Sequence, residues 1–466
     1  MRNMTINSLI GGSIYRLQEH LLRRPTFAYL RDLERSQWLS RQEIEQLQLQ
    51  KLQQLLGVAV QHCPWHAERI QAAGLDLSCQ LALADFQKLP TMDKADAAAN
   101  RDQLVWHEAP GGTFRYNTGG SSGKPLIFYY GRQRQASDAA GRMRARRWWG
   151  VEPGEREVYL WGAPVELNKT DRIKTLRDRL VNQMVLNAFD MSPVRMDAYA
   201  QAIQSWQPRC IYGYASSVAL LAAHAKERNV RFKLPNLRVV CTTGEPLFPH
   251  QRALIQEVFG VPVANEFGSR DIGFTAHETP HGQMLLISES ILLEVLDPQG
   301  HPVKPGEVGE AVMSGLCSEA QPFIRYRTGD MVRMSEASCR DGRGLHVISE
   351  VVGRSTDFLV KSDGTIMHAL AGIYVLRAVE GVAEFKLIQH ELRDLEVLVV
   401  RNMNWREESL RKIEMGLKER MGEDVNIRIQ LVDNIAPEAS GKHRYVVSHV
   451  QLAGGLGIAT SAGAAS

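Results

Sequence analysis

The sequence predicts an α/β protein with a large N-terminal domain of layered α/β sheets plus a small β-barrel, followed by a small α+β C-terminal domain. Three observations predict it. The chain has 466 residues, well past the size at which a single core stops growing, so two or more domains are expected. Between about residue 60 and residue 350, short apolar runs alternate with longer helical stretches, the pattern of α/β layers. After Gly353-Arg354 strand-like and helix-like segments begin again in a stretch of about 100 residues, the size of a small domain. The expected boundaries are 1–352 for the large domain, with a helical segment over 1–60, then 353–452 for the small domain and a disordered Gly/Ala/Ser-rich tail over 453–466.

Each element has its own signal. Ser40-Arg41-Gln42-Glu43 is a capping-box pattern ahead of Ile44, Leu47, Leu52, Leu55 and Leu56, so a helix starts there. The basic, partly apolar opening from Ile10 to Arg24 reads as a helix packed on its own core, with contact to a membrane surface as the alternative. Val158-Tyr159-Leu160-Trp161, Cys210-Ile211-Tyr212, Val239-Val240-Cys241 and Val263 to Gly268 read as strands; Ser216 to Glu227 and Pro249 to Phe259 read as helices. From 285 to 335, apolar runs alternate with the turns Asp297-Pro298-Gln299-Gly300 and Lys304-Pro305-Gly306-Glu307, which predicts a β-meander or small barrel. Leu395 to Val400 reads as a strand and Glu407 to Met421 as an amphipathic helix.

Composition excludes several classes. Hydrophobic residues make up 44% and charged residues 23%, as in ordinary globular proteins. A net charge of +3 is too weak a field to make nucleic acid or an anionic membrane the main partner. Cys63, Cys79, Cys210, Cys241, Cys317 and Cys339 are scattered without close pairing, as in reduced cytosolic proteins. No run of 18 apolar residues occurs, and a cytoplasmic location follows as the expectation.

The stretch richest in chemistry is Tyr116-Asn117-Thr118-Gly119-Gly120-Ser121-Ser122-Gly123-Lys124-Pro125, lying between two strand-like runs. Glycines allow close backbone approach, and free N–H groups, hydroxyls and an ammonium together make an anion cradle. A Walker A loop is disfavoured, because Thr118 stands where its first Gly belongs and Pro125 where its Ser/Thr belongs. A plain Gly/Ser surface loop is the competing reading.

Four more stretches follow: Glu266-Phe267-Gly268-Ser269-Arg270-Asp271, Phe323-Ile324-Arg325-Tyr326-Arg327-Thr328-Gly329-Asp330, Gly353-Arg354-Ser355-Thr356-Asp357 and Ser440-Gly441-Lys442. Taken together, in this order and spanning roughly 114 to 445, they resemble the adenylate-forming superfamily of acyl-CoA synthetases, adenylation domains and luciferases. Within it, the chain is similar to the phenylacetate-CoA ligase and CapK-like branch, the latter associated with polysaccharide biosynthesis.

That resemblance implies a large adenylate-forming domain with a small mobile C-terminal domain, and it implies roles. Thr118, Gly120, Ser121, Ser122, Gly123 and Lys124 match the family's phosphate loop. Asp330 matches the acidic residue that accepts hydrogen bonds from both ribose hydroxyls, a task suited to a carboxylate's lone pairs. Arg354 matches the arginine at the domain junction that approaches the nucleotide, and Lys442 the mobile lysine that bridges the reacting carboxylate and the α-phosphate. Gly244-Glu245 and Glu266-Phe267-Gly268 match stretches around the adenine and the acyl pocket, with Phe267 where a Tyr is usual. Asp271 stands where a magnesium-associated Glu is usual, one methylene shorter, so Mg²⁺ would arrive mainly on the ATP phosphates. The loop around Gly364 would meet the incoming thiol. The hinge falls within Arg354–Asp357. Some members of the branch hold zinc near the equivalents of His277 and Cys339; Thr279 and Asp341 stand where further Cys would help, so no zinc is expected here.

The implied function is activation of a carboxylic acid with ATP to an acyl-AMP and transfer of the acyl group to coenzyme A. ATP, Mg²⁺ and coenzyme A are the implied cofactors, the partners are small molecules, and a homodimer is compatible with the sequence. The alternatives are an adenylate-forming enzyme with a carrier thiol, amine or sugar hydroxyl as acceptor, or one that transfers AMP, and a non-catalytic nucleotide-binding scaffold. Trp148, Trp149, Trp161, Tyr212 and Tyr214 could line an acyl cavity or be plain core. Arg142, Arg144, Arg146 and Arg147 read as a solvated helix face, with the phosphates of coenzyme A or an anionic substrate as the alternative partner.

Overall fold

The structure is a computed structural model that describes residues 6–117, 126–161, 178–188, 191–354, 358–362, 366–368, 370–435 and 445–450. The N-terminal segment is helical: α1 Ile6–Leu21, α2 Thr26–Ser36, α3 Arg41–His62 and α4 Pro64–Ala72, followed by the short α5 Leu83–Phe86, α6 Lys94–Ala99 and α7 Arg101–Leu104. The expected capping box starts α3. Ser40 Oγ accepts from Glu43 N, and the Glu43 carboxylate accepts from Ser40 N at 2.8 Å. Ile44, Leu52, Leu55 and Leu56 are buried beneath it.

Strands β1 Thr113–Asn117 and β2 Ile127–Gly131 pair antiparallel on either side of the Gly/Ser loop, and α8 Arg132–Trp148 follows directly. Strands β3 Glu157–Trp161, β4 Gln183–Asn187, β5 Cys210–Tyr214, β6 Val239–Thr243 and β7 Val263–Ser269 are all parallel, in the order β4-β3-β5-β6-β7. Their apolar runs are short and buried, as strands covered on both faces require. Helices Pro193–Trp206, Ala215–Glu227 and Pro249–Phe259 cover one face through Ile203, Val218, Leu221 and Ile255. The opposite face carries Cys210, Tyr212, Val239, Cys241 and Ala264, clustered with Val151 just beyond α8.

The same sheet continues antiparallel. Strands β8 Gly273–Glu278, β9 Met284–Leu286, β10 Ile291–Leu296, β11 Val308–Gly315, β12 Tyr326–Ser335 and β13 Val347–Arg354 follow in the spatial order β8-β9-β13-β12-β11-β10, so that the described residues form one sheet of eleven strands. The 285–335 region is therefore a meander that extends the large sheet. It is not a separate small β-barrel, because β13 pairs with β9 and joins the wing to β8 and β7.

The C-terminal unit has a β14 Phe358–Val360 and β15 Ile366–His368 pair, and a mixed sheet of β16 Val382–Glu391, β17 Asp394–Arg401, β18 Asn426–Leu431 and β19 Val446–Ser448 in the order β18-β17-β16-β19. Helices Leu370–Ala378 and Glu408–Met421 bury Leu376, Ile413 and Leu417 against it. Phe248, from the large sheet's helical layer, joins that cluster and meets Tyr445 edge-on at 6.3 Å. No helix among the described residues is long and apolar enough to cross a membrane.

The arginines of α8 contradict both readings given to them. Arg144 is fully buried on Glu289, Arg146 is buried on Glu157, and Arg147 pairs with Glu34 and Glu152. Helix α8 lies between α2 and β8, so its basic side chains had to find carboxylates inside the protein. The solvated-face, coenzyme A and anionic-substrate readings are corrected accordingly for Arg144, Arg146 and Arg147.

Candidate active site

Parallel strands present their C-terminal ends together, the edge where open α/β sheets bind ligands. The register sets Tyr214 beside Thr243 and Thr243 beside Glu266. Three expected site stretches thus meet at one edge. Glu266 is buried; its Oε1 accepts from the Tyr212 hydroxyl at 2.7 Å and the Thr243 hydroxyl at 3.3 Å. Burial and the adjacent Glu266 charge push the Tyr212 phenol far above its ordinary range, so it stays a donor.

Gly244 has φ +75°, a left-handed turn that glycine takes at no steric cost. Glu245 follows and its Oε2 accepts from Ser216 N at 2.9 Å, which places a carboxylate at the start of helix Ala215–Glu227. Phe267 belongs to the apolar core with Phe128 and Ile272 and is only 9% exposed. At Gly268 a Cβ would come within 2.6 Å of the Gly273 carbonyl oxygen, so a larger residue cannot stand there without moving the β7–β8 turn.

That turn carries Asp271. Its carboxylate accepts from the Tyr326 hydroxyl at 2.8 Å, while the Arg134 guanidinium donates to the backbone oxygens of Arg270 and Asp271, each at 2.6 Å. Asp271 is therefore tied to the first part of the Arg325-to-Asp330 motif on β12. Arg325 has φ +52°, uncommon for a residue with a side chain. It is held there by a two-pronged pair with Glu294, both contacts at 3.0 Å, and by donation to Gln87 O at 2.6 Å.

The Thr328-Gly329-Asp330 turn is braced from β11. Glu310 accepts from Arg327 Nε at 2.8 Å and from Gly329 N at 3.2 Å, and Thr328 Oγ1 donates to Ala311 O at 2.9 Å. The β11–β12 ladder slips between Glu310 and Val312; such irregularities often aim a side chain at a site. Asp330 is 8% exposed, its N–H donates to Thr328 Oγ1, and it stands opposite Arg354 in the β12–β13 register.

The remaining expected residues are placed less fully. Thr118, Gly120, Ser121, Ser122, Gly123, Lys124, Gly364 and Lys442 lie outside the described residues, as do Ser355, Thr356 and Asp357 of the junction. Arg354 is described as the last residue of β13. Trp161 stacks on Tyr214 at 4.5 Å, and Trp149 donates to Glu278 O at 2.9 Å. His277 is buried with Nδ1 on Glu278 O, and Cys339 packs with Ile44 and Leu285. Tyr212 stood among the candidate acyl-cavity aromatics, whereas Thr243, Tyr326 and Glu310 were not anticipated as site residues. Only the strand register and the cross-sheet contacts reveal them, although Tyr326 lies inside a motif already singled out.

Comparisons with known proteins agree with this architecture. Residues 359–449 match the CapK C-terminal domain family. Protein CapK of Staphylococcus aureus is 22% identical over 413 residues, covering 88% of this chain and 90% of the relative. A phenylacetate-coenzyme A ligase of Thermus thermophilus is 23% identical over 364 residues, covering 75% and 79%. Among solved structures, 2-hydroxyisobutyryl-CoA ligase in the postadenylation state with 2-HIB-AMP superposes with TM-score 0.69 at 22% identity, covering 89% of this chain and 91% of that one. The same ligase in its thioesterification state gives 0.57 at nearly equal coverage. The chain is similar to CapK and the phenylacetate-coenzyme A ligases, shares the fold of the solved CoA ligase, and matches the CapK C-terminal domain family over residues 359–449.

Proposed function

We propose that this protein is an AMP-forming acid ligase: it activates a carboxylic acid with ATP to an acyl-AMP and passes the acyl group to coenzyme A. The observation that carries the reading is the β12–β13 register, which sets Asp330 and Arg354 side by side on the wing that Tyr326 ties to Asp271. An anion that can accept from two ribose hydroxyls, with an arginine at the partner position of the ladder, suits a nucleotide.

In this reading the carboxylate oxygen attacks the α-phosphorus and the bond to pyrophosphate breaks, so the protein's task is to position the acid and stabilise phosphate charge. Thr118, Ser121, Ser122, Gly123 and Lys124 would cradle the leaving pyrophosphate, and Lys442 would bridge the reacting oxygen and the α-phosphate. Gly244, Glu245, Phe267 and Gly268 would border the adenine and acyl group, and the loop around Gly364 would receive the thiol after the small domain, 353–452, rotates. Among the described residues no group of three or more His, Cys, Asp or Glu side chains could hold a metal. Asp271, with one oxygen on Tyr326, fits a single carboxylate ligand to Mg²⁺ that is otherwise held by phosphates. A cytoplasmic location belongs to the same reading, because coenzyme A and ATP are at hand there.

Pyrophosphate exchange and hydroxylamine trapping over a panel of carboxylic acids test the activation step, and thiol-dependent AMP release tests the acceptor. Lys442→Ala should slow adenylation on the order of 10²–10³-fold, as loss of one preorganised donor does. An unchanged rate would remove Lys442 from this role.

A further inference from the structure

Helix α8 starts immediately after β2, so its first turn stands at the foot of the strand that leaves the Gly/Ser loop. Arg134, in that turn, is buried. Its cation lies 5.6 Å from the Phe128 ring centre and 5.4 Å from that of Tyr130, both on β2, within cation–π reach. The same guanidinium donates through Nη1 to Asp271 O and through Nη2 to Arg270 O, each at 2.6 Å. One side chain therefore touches both the strand from the expected phosphate loop and the turn that carries Asp271.

The grip continues one helical turn on. Asp138, at i+4 from Arg134, lies 3.7 Å from its Nε, and its Oδ1 accepts from Phe274 N at 3.2 Å. Gly273 has φ +110°, and a Cβ there would collide with Asp138 Oδ1, so glycine alone fits against that carboxylate. Arg134 and Asp138 thus hold the β7–β8 turn at both ends. From the other side, the Tyr326 hydroxyl donates to Asp271 Oδ2 at 2.8 Å; among the described residues Oδ1 makes no hydrogen bond. The peptide oxygens of the turn are drawn to α8 while its carboxylate is held on β12, so the direction of the Asp271 side chain depends on both anchors.

We propose that Arg134 is the positioning residue for Asp271: by tying the Asp271 turn to the strand that leaves the Gly/Ser loop, it fixes the carboxylate relative to that loop and so sets the affinity for magnesium-bound ATP. A guanidinium is suited to the task because its fork serves two carbonyl oxygens at once, whereas an ammonium is a single centre. The proposal rests on the nucleotide-binding part of the function above, and its test reads binding, not turnover.

Calorimetry with ATP and Mg²⁺ on the full chain would compare the wild type, Arg134→Lys, Asp271→Ala and the double variant, with melting followed in parallel. Arg134→Lys keeps a cation beside Asp138 and the two rings but loses the fork. It should weaken ATP binding about tenfold, as loss of a contact that orients a ligating side chain does. Once Asp271→Ala has removed the carboxylate, Arg134→Lys should have no further effect on ATP, while its melting loss stays the same in both backgrounds. Unchanged ATP affinity in Arg134→Lys, or an equal loss of affinity with and without the Asp271 carboxylate, would overturn the proposal. Asp138→Asn, a milder change in the same grip, supplies the same comparison where Arg134→Lys does not fold. ATP binding with this dependence but no pyrophosphate exchange on any acid would retain the role of Arg134 and remove the ligase function; a wild type that binds no ATP would remove both.

Discussion

Asp330 and Arg354 are direct partners in the antiparallel β12–β13 ladder, although one closes a turn motif and the other stands where the second unit of the chain begins. If the pair frames a nucleotide, Asp330→Asn should raise the ATP KM about 10- to 100-fold, since a hydrogen bond to a charged acceptor contributes about 1.5–3 kcal/mol. Exchange kinetics against ATP concentration measure it, and melting should change little because the amide keeps the shape. An ATP dependence equal to the wild type would show that Asp330 does not touch the nucleotide.

Glu310 should act one step behind. Its carboxylate holds both Arg327 and the Gly329 amide, so Glu310→Gln leaves a cation without its partner, a change of about 3–5 kcal/mol when both are buried and less for the partly exposed Arg327. We expect a lower melting temperature together with a raised ATP KM. A melting change with normal ATP kinetics would mean that the Thr328-Gly329-Asp330 turn holds its shape without the brace.

The Arg144 and Glu289 pair sets α8 against the sheet and is fully enclosed. Arg144→Ala should destabilise the fold by about 3–5 kcal/mol, because Glu289 would be left charged in the interior. Replacing both residues with Met should recover much of that loss. Urea unfolding of the two variants separates charge burial from packing, and equal losses in both would point to packing alone.

Acidification should weaken the protein before its carboxylates titrate. Burial holds the His66 imidazole down to about 3, with Arg69 adding to the shift, and holds His346 down to about 4. Below the ordinary histidine value of about 6.5 the unfolded chain takes up protons that the folded one refuses, so stability falls with pH, by about 1.4 kcal/mol per unit for each such group. The window for His66 runs from about 6.5 down to about 3. His66→Gln should melt with a shallower pH slope between 6.5 and 4.5; an identical slope would show that His66 is not the titrating group.

Local rules carried much of the architecture. The Ser40–Glu43 box depends on four consecutive residues and starts a helix as its pattern requires, and helix Pro249–Phe259 has the bounds that its Pro and the following Gly260 mark. Strands β5 and β6 are buried at every residue because both of their faces are covered. The motif residues on β6, β7 and β12 were also visible, since turn glycines and charged residues stand out against apolar strands.

What needed three dimensions was pairing between distant segments. A sequence cannot say that β13 pairs with β9 and turns an expected barrel into a wing of the main sheet, because that register comes from contacts between strands far apart in the chain. Nor can it say that a helix with four arginines near its C-terminal end is interior. Charge alone favours water, and only the arrival of Glu157, Glu289 and Glu34 from three other elements makes burial of Arg146 and Arg144, and the pairing of Arg147, affordable. The same assembly brings Glu266 to within 3.7 Å of Arg142, a pairing that exists only in the folded chain.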